Sequence, residues 1–190
     1  MRRRGRRFSA VVGGVVGLLL AVGGAAAKSV MLYDFETDVQ GWENEVDPAT
    51  GSSAPAELSR GRARSGTSSL AFDFHFGKGA RILHCRVKEG FQKDMSDERF
   101  QGFSAWVFIP SGLPNWEIKM FVRSGPTWAW GEGKTLKGLQ PGWHRVDIGR
   151  DKIQYPGMIQ DLGVEIMNFF EDIETTIYID QVETLISDVP

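Results

Sequence analysis

Two tryptophans, Trp128 and Trp130, follow directly after a segment in which apolar and polar residues alternate. Flat indole rings can stack on any ligand that has an apolar face, and each keeps an N–H donor at its edge. Lys119 and Arg123 lie on the polar side of the preceding segment and add charged donors. If the backbone at the two tryptophans is extended, both rings point to the same side. The group therefore has the composition of a binding surface.

The same alternation adds residues from a later segment. Glu165 alternates with the apolar Val164 and Ile166, which places it on a polar sheet face, and Asn168 stands at the end of that segment. A pyranose ring has an apolar face of C–H groups and a rim of hydroxyls, so aromatic platforms beside carboxylate, amide and cationic groups suit a sugar. A cross-strand ion pair between Arg123 and Glu165 is the simpler alternative. The candidate carbohydrate-binding residues are Trp128, Trp130, Arg123, Lys119, Glu165 and Asn168.

Short segments with strand character must position these residues. The sequence shows no long stretch of helical periodicity, and strand-like segments recur about every 8 to 12 residues, the spacing of an antiparallel β-sandwich. The clearest strand is Ser69–Phe76, and we expect the segment Arg81–Val87 to return antiparallel to it after a glycine turn. Residues 47–64 are predicted as a loop with at most one weak strand. The tryptophans in strand-like segments are expected in the core: Trp42, Trp106, Trp116 and Trp143.

The N-terminal 27 residues have the pattern of a secretory signal peptide. Five arginines precede an apolar stretch, and three alanines at positions 25–27 offer a small-residue cleavage site. An uncleaved membrane anchor is the alternative, because the stretch from Phe8 to Ala27 is just long enough to span a bilayer. We therefore expect a signal peptide at 1–27, one domain at 28–190, a secreted or periplasmic location, and no membrane contact after cleavage.

Charge and cysteine content narrow the functional classes. Removing the signal peptide takes away five basic residues and no acidic ones, so the formal net charge changes from −2 to about −7. This balance does not indicate a nucleic-acid partner. Cys85 is the only cysteine, so no internal disulfide can form. The oligomeric state cannot be read from the sequence.

The order of several short motifs resembles a known family. YDFE, GW, GTSSLAFDF, FSAWVFIP, GWHRVDI, LGVEI and IYIDQV follow one another in this chain, and in this order they look like a carbohydrate-binding module similar to those attached to β-mannanases and β-glucanases. The resemblance covers about residues 30–186. It implies an all-β fold, a two-sheet antiparallel β-sandwich of the galactose-binding-like jelly-roll type, with a ligand groove on its concave sheet and binding of a β-linked polysaccharide or oligosaccharide.

The resemblance also implies one structural calcium ion. Glu36 of YDFE and Asp180 of YIDQV match family positions that commonly hold calcium together with backbone carbonyls from the segment before GTSSL. Asp34 is the substitute if the register is shifted. Calcium takes six to eight oxygen ligands, and it would join the first and last strands of a domain that has no disulfide.

Two other classes of function remain open. No HExxH, GxSxG, paired-cysteine or phosphate-loop motif is present, and the three histidines are scattered, so we expect no enzyme. A small glycoside hydrolase or lyase would need two carboxylates flanking a groove, and strand residues such as Glu117 and Glu165 could supply them. An envelope domain that binds another protein through the same face is the third possibility.

Overall fold

The computed structural model describes residues 28–46, 51–77, 81–87, 94–110, 116–169 and 172–188. The proposed signal peptide lies outside these residues. The described part of the chain contains no helix long and apolar enough to cross a membrane. It contains thirteen strands and one 3₁₀ turn, Arg150–Lys152. The strands are β1 (Lys28–Tyr33), β2 (Trp42–Val46), β3 (Gly51–Ser53), β4 (Glu57–Ser59), β5 (Ser69–Phe76), β6 (Arg81–Val87), β7 (Phe100–Ile109), β8 (Trp116–Ser124), β9 (Ala129–Glu132), β10 (Leu136–Lys137), β11 (Gly142–Gly149), β12 (Ile159–Asn168) and β13 (Ile173–Ile186).

The strands form two antiparallel sheets. Sheet A has the order β11-β7-β13-β5-β3, with β1 also paired to β13 and β4 also paired to β5. Sheet B has the order β10-β8-β12-β6-β2, with β9 also paired to β8. The expected all-β, two-sheet antiparallel β-sandwich is therefore confirmed.

The core lies between the sheets because alternate residues of each strand are apolar. In sheet A the even positions of β5, from Leu70 to Phe76, are buried. In sheet B, Ile118, Met120 and Val122 of β8 are fully buried, as the alternation predicts. Trp116 of β8 packs edge-on against Phe74 of β5, with ring centroids 5.7 Å apart, so it joins the two sheets as predicted for a core residue.

Three predictions of local structure are wrong. The segment at 47–64 contains two short strands, β3 and β4, which pair with β5. Strand β6 does not pair with β5, because it crosses to sheet B and pairs with β12 and β2. A glycine turn looks the same in sequence whether the chain returns beside the first strand or crosses to the facing sheet.

The third wrong prediction concerns two of the tryptophans. Trp42 and Trp116 are buried as expected, but Trp106 and Trp143 are only half-buried and lie on the outer face of sheet A. Strand β7 carries apolar side chains on both faces, so its alternation does not reveal which face is the core.

Candidate functional site

The outer face of sheet B collects the polar side chains that the alternation keeps out of the core. The register aligns Lys119 of β8, Glu165 of β12, His84 of β6 and Glu45 of β2 in one row across four strands. Charges of opposite sign therefore alternate along the row when His84 is protonated. We call this surface the sheet B face, and it is completed by Arg86, Glu43, Asp161, Phe121, Arg123, Trp130 and Glu132.

An aromatic stack occupies the middle of the sheet B face. The Trp130 ring lies on the Phe121 ring with centroids 4.6 Å apart and planes at 8°. Phe121 is fully buried, whereas Trp130 is 41% exposed. The Trp130 Nε1 donates to Glu132 Oε2 at 3.1 Å, which fixes the in-plane orientation of the indole. One face of the indole is therefore packed against the protein while much of the side chain remains accessible.

Gly163 of β12 makes room for this stack. It is the cross-strand partner of Phe121 on one side and of Arg86 on the other. A Cβ at this position would lie 2.8 Å from Phe121 Cε1, 2.8 Å from Arg86 Cβ and 2.5 Å from the Cys85 carbonyl oxygen. A side chain here would displace its neighbours, so the glycine is required by packing.

His84 lies against both rings of the stack. Its centroid is 4.9 Å from that of Phe121 and 5.6 Å from that of Trp130. His84 Nε2 lies 2.9 Å from Glu165 Oε2, and Nδ1 lies 3.5 Å from Glu45 Oε2. The imidazole thus connects the aromatic stack to the charged row.

Lysine and arginine side chains of the sheet B face are each paired with carboxylates. Lys119 Nζ lies 2.6 Å from Glu132 Oε2 and 3.0 Å from Glu165 Oε1. The buried Arg86 guanidinium lies 2.8 Å from the fully buried Asp161 carboxylate, and it also contacts Glu45 at 3.1 Å. Arg123 lies 3.2 Å from the same Asp161 oxygen. The face is therefore a mixed-charge network with more carboxylates than cations.

The surroundings shift the pKa values of these groups in different directions. Burial acts to raise the pKa of Glu165, but hydrogen bonds with His84 and Lys119 outweigh it, so the pKa lies below its ordinary value. Burial raises the pKa of Asp161, and the adjacent Arg86 only partly opposes this effect. For Lys119, burial acts to lower the pKa, but its bonds to Glu132 and Glu165 raise it overall. Glu165 and Lys119 therefore stabilise each other in their charged forms.

The structure brings together four of the six predicted carbohydrate-binding residues, namely Trp130, Arg123, Lys119 and Glu165. Asn168 is fully buried and lies on the same face of β12 as Val164 and Ile166. It therefore faces the core and does not join the sheet B face.

Trp128 lies apart from the extended strand that carries Trp130. It stands in the turn after Gly125 with a φ of 55°, and its N–H donates to the Gly125 carbonyl at 3.2 Å. It is 44% exposed. The backbone at Trp128 is not extended, so the condition under which the two rings would point to the same side is not met.

Several residues of the site were missed from the sequence. The sequence indicated no binding role for the three scattered histidines, yet His84 lies at the centre of the sheet B face. Ile82, His84 and Arg86 occupy every second position of β6, and this spacing was the signal that they share one face of the strand. Their partners Glu45 and Asp161 could not be assigned, because pairing between β2, β6 and β12 is set by the fold.

The residues proposed for calcium lie close to one loop, but they bind hydrogen-bond donors there. Glu36 accepts bonds from the backbone and hydroxyl of Thr67, which lower its pKa. Asp180 Oδ2 accepts from the N–H groups of Arg64 and Ser65 at 2.7 and 3.0 Å. In the described part of the chain, no group of three or more His, Cys, Asp or Glu side chains could hold a metal. These two carboxylates supply only part of the six to eight oxygen ligands that calcium takes, so backbone carbonyls would have to supply others.

A depression of about 530 Å³ lies away from the sheet B face, on sheet A. Ser52, Asp73, His75 and Thr176 are among the residues that line it. It holds no platform comparable to Trp130, because Phe74, the one Phe, Tyr or Trp among its lining residues, is 3% exposed and packed in the core. The depression on sheet A therefore has a concave shape but no stacking platform, whereas the sheet B face has an exposed indole.

The fold and the site together define a β-sandwich module of the galactose-binding-like class. The family model described as mannanase, galactose-binding domain-like matches residues 33–181, so the chain belongs to that family. No curated protein sequence matches the chain.

Solved structures of carbohydrate-binding modules share this fold. One, from a study of promiscuous specificity in modules of the β-sandwich superfamily, has a TM-score of 0.65 at 16% identity; the match covers 85% of this chain and 63% of that one. The Caldicellulosiruptor saccharolyticus module CBM27-1, solved with mannohexaose, has a TM-score of 0.59 at 16% identity and coverages of 82% and 96%. The C-terminal family 22 module of Clostridium thermocellum Xyn10B has a TM-score of 0.53 at 14% identity and coverages of 84% and 95%.

Proposed function

We propose that this protein is a non-catalytic carbohydrate-binding module whose sheet B face binds an uncharged, β-linked polysaccharide or oligosaccharide. The observation that carries the proposal is the stack of the exposed Trp130 ring on the buried Phe121 ring. The support from Phe121 and the bond to Glu132 hold the indole in place before a ligand arrives, which lowers the entropic cost of binding. A pyranose can stack its C–H face on the indole.

The charges of the sheet B face favour an uncharged ligand. Lys119, Arg86 and Arg123 are already paired with carboxylates, so they have no free charge to offer to an acidic sugar. The excess of carboxylates would repel a uronic acid. The same side chains can still form hydrogen bonds with a neutral sugar. A sugar hydroxyl can donate to a carboxylate while it accepts from a lysine or an arginine. Membership in the mannanase-associated family and the mannohexaose bound by one solved neighbour support a β-linked chain such as mannan.

The two buried carboxylates of the sheet B face, Glu165 and Asp161, are poorly suited to glycoside hydrolysis. A hydrolase needs a general acid whose pKa is raised so that it keeps its proton near neutral pH. The pKa of Glu165 is lowered, and Asp161, whose pKa is raised, has no exposed surface. We therefore expect no release of reducing sugar from mannan, xylan or β-glucan.

Secretion through the N-terminal 27 residues and calcium binding at Glu36 and Asp180 are further parts of the proposal. The basic and apolar pattern of residues 1–27 supports secretion, and the family resemblance supports calcium. Chelation tests the metal directly. A calcium-bound protein melts at a lower temperature in EDTA, and an unchanged melting temperature would remove calcium from the proposal.

Gel retardation by soluble polysaccharides tests the sugar site. We expect the protein to be retarded by at least one of mannan, xylan and mixed-linked β-glucan, with a shift in tryptophan fluorescence on titration. Trp130→Ala removes the platform and is expected to weaken binding about 30-fold or more, the effect of losing a central aromatic contact of about 2 kcal/mol. Trp128→Ala is expected to give a smaller loss, because this residue stands in the turn.

Trp143→Ala is the matched control. It removes a tryptophan from sheet A, on the opposite side of the sandwich, so retardation by neutral polysaccharide should not change. Retardation by none of these polysaccharides, with the protein folded, would reject the proposed function. An equal loss for Trp130→Ala and Trp143→Ala would reject the assignment to the sheet B face.

A further inference from the structure

The outer face of sheet A carries a second group of aromatic residues. The register aligns Trp143 of β11, Phe108 of β7 and Tyr178 of β13 in one row across three strands. The centroids are 5.5 Å apart for Trp143 and Phe108, and 6.0 Å apart for Phe108 and Tyr178, both with edge-on packing. Trp106 lies two residues before Phe108 on the same face. All four side chains are half-buried, so the row remains partly accessible to solvent.

Exposed arginines lie over this aromatic row. Arg62 places its Cζ 3.9 Å from the centroid of Phe108 and 5.4 Å from that of Tyr178. Arg64 places its Cζ 4.4 Å from the centroid of Trp106. Arg60 precedes them at the same spacing. Among the described residues, no carboxylate forms an ion pair with any of these three arginines, in contrast to Arg86 and Arg123 on the sheet B face.

The backbone that carries the arginines is fastened to sheet A. Ser69 Oγ donates to the Arg62 carbonyl at 2.5 Å, and the N–H groups of Arg64 and Ser65 donate to Asp180 Oδ2. Ser69 and Asp180 are fully buried. The N–H of Gln181 donates to the other Asp180 oxygen at 2.7 Å, at a bulge in β13. The arginines are therefore held over the rings by a fixed loop.

We propose that this surface, formed by Arg62, Arg64, Trp106, Phe108, Trp143 and Tyr178, binds an acidic polysaccharide through the carboxylates of its uronic acid units. Stacking on a ring uses the flat face of a guanidinium and leaves its in-plane N–H donors free. Two of these donors can form parallel hydrogen bonds to the two oxygens of one carboxylate. Trp143 has no arginine over it in the described structure, so its ring can take the apolar face of a sugar.

Charge complementarity favours a carboxylated glycan over a nucleic acid. Two arginines over the rings, in a chain whose net charge is −2, make a small basic patch, whereas nucleic acids bind extended basic surfaces. The proposed ligand also combines the two groups that the surface provides for, a carboxylate for the arginines and an apolar ring face for Trp143. This second surface would let one domain bind a neutral and an acidic glycan on opposite sides.

Gel retardation by alginate, a polymer of uronic acids, tests the second surface. We expect alginate to retard the wild-type protein, and the double variant Arg62→Ala/Arg64→Ala to lose at least tenfold in affinity. Arg62→Lys/Arg64→Lys should restore only part of it, because lysine keeps the charge but lacks the forked donors. Lys134→Ala is the matched control, because it removes an exposed cation with no ion pair in the described structure and should leave binding unchanged.

The neutral polysaccharides separate this inference from the proposed function. All arginine variants should keep wild-type retardation by mannan or β-glucan, and their melting temperatures should stay close to wild type. No retardation by alginate, with neutral binding intact, overturns the second surface alone. An equal loss for Lys134→Ala would show non-specific attraction and overturns it too. Stronger retention by double-stranded DNA than by alginate at equal salt would likewise overturn the assignment to an acidic glycan.

Discussion

The two outer faces of the sandwich use the same types of residue in different ways. Each places arginines beside aromatic rings, Arg123 beside Trp130 on sheet B and Arg62 over Phe108 on sheet A. On sheet B the cations are bound to carboxylates of neighbouring strands. On sheet A the guanidinium groups of Arg62 and Arg64 contact aromatic faces, and no carboxylate forms an ion pair with them in the described structure. The cross-strand partner, and not the residue type, decides whether a cation is free to bind a ligand.

Burial explains why the sheet B cations need partners. Arg86 is 4% exposed, and an unpaired charge at that depth would lose most of its hydration. Arg62 and Arg64 lie on exposed loop positions, where water solvates the guanidinium edges and the ring supports the flat face. The paired cations of sheet B suit the hydroxyl groups of a sugar, and the unpaired arginines of sheet A suit carboxylates.

The largest expected difference between the faces is in stability. Arg86→Met leaves the buried Asp161 with one guanidinium instead of two, so we expect a loss of about 3–5 kcal/mol in the free energy of unfolding. Arg62→Met removes only an exposed cation–ring contact and should cost about 1 kcal/mol or less. Denaturant unfolding of both variants measures the difference. Similar losses for the two would contradict the distinction between paired and unpaired arginines.

A smaller effect is expected at the glycine beneath the aromatic stack. Gly163→Ala pushes against Phe121, Arg86 and the Cys85 carbonyl, so it should cost about 1–3 kcal/mol and weaken neutral-glycan binding by displacing Trp130. Gly61→Ala is the control, because its Cβ would meet only Ser59 Oγ, at 3.8 Å. Thermal unfolding and gel retardation measure both variants. Unchanged glycan binding by Gly163→Ala would show that the position of Phe121 does not support the platform.

The smallest expected effect is the contribution of Glu165, on the sheet B face, to the dependence of stability on acid pH. The folded-state pKa of Glu165 lies below its ordinary value of 4.5, so its stabilising contribution is present above pH 4.5 and is lost as the pH falls through the folded pKa. Asp161 has a raised pKa and acts in the opposite direction. Stability of the wild type and of Glu165→Gln should therefore be compared from pH 6 downward.

The Glu165→Gln variant should lose less stability than the wild type on acidification, because an amide side chain does not titrate in this range. Identical pH profiles would show that Glu165 makes no net contribution to the pH dependence. Binding of alginate by sheet A does not involve Glu165, so its pH profile should be the same in both proteins.

Much of the fold could be predicted from alternation. The buried even positions of β5 and β8 follow directly from the sequence, because a strand with one apolar face can bury only that face. The candidate site was predicted in part, since Lys119, Arg123 and Glu165 lie on polar faces of recognisable strands. The prediction failed where the alternation of apolar and polar residues gives no information. Strand β7 is apolar on both sides, and the turn at Trp128 departs from extended backbone.

The sequence by itself determined an all-β chain of the mannanase-associated family, and it determined which residues of each strand share a face. Period-two alternation is a local property, so a single strand reveals it. Only the tertiary structure decided that His84 lies against the Trp130 stack and that Arg86 is neutralised by Asp161. It also decided that Arg62 lies over Phe108 with no acid paired to it in the described structure. These contacts join residues that are distant in the chain, and their register depends on how the strands order themselves within each sheet.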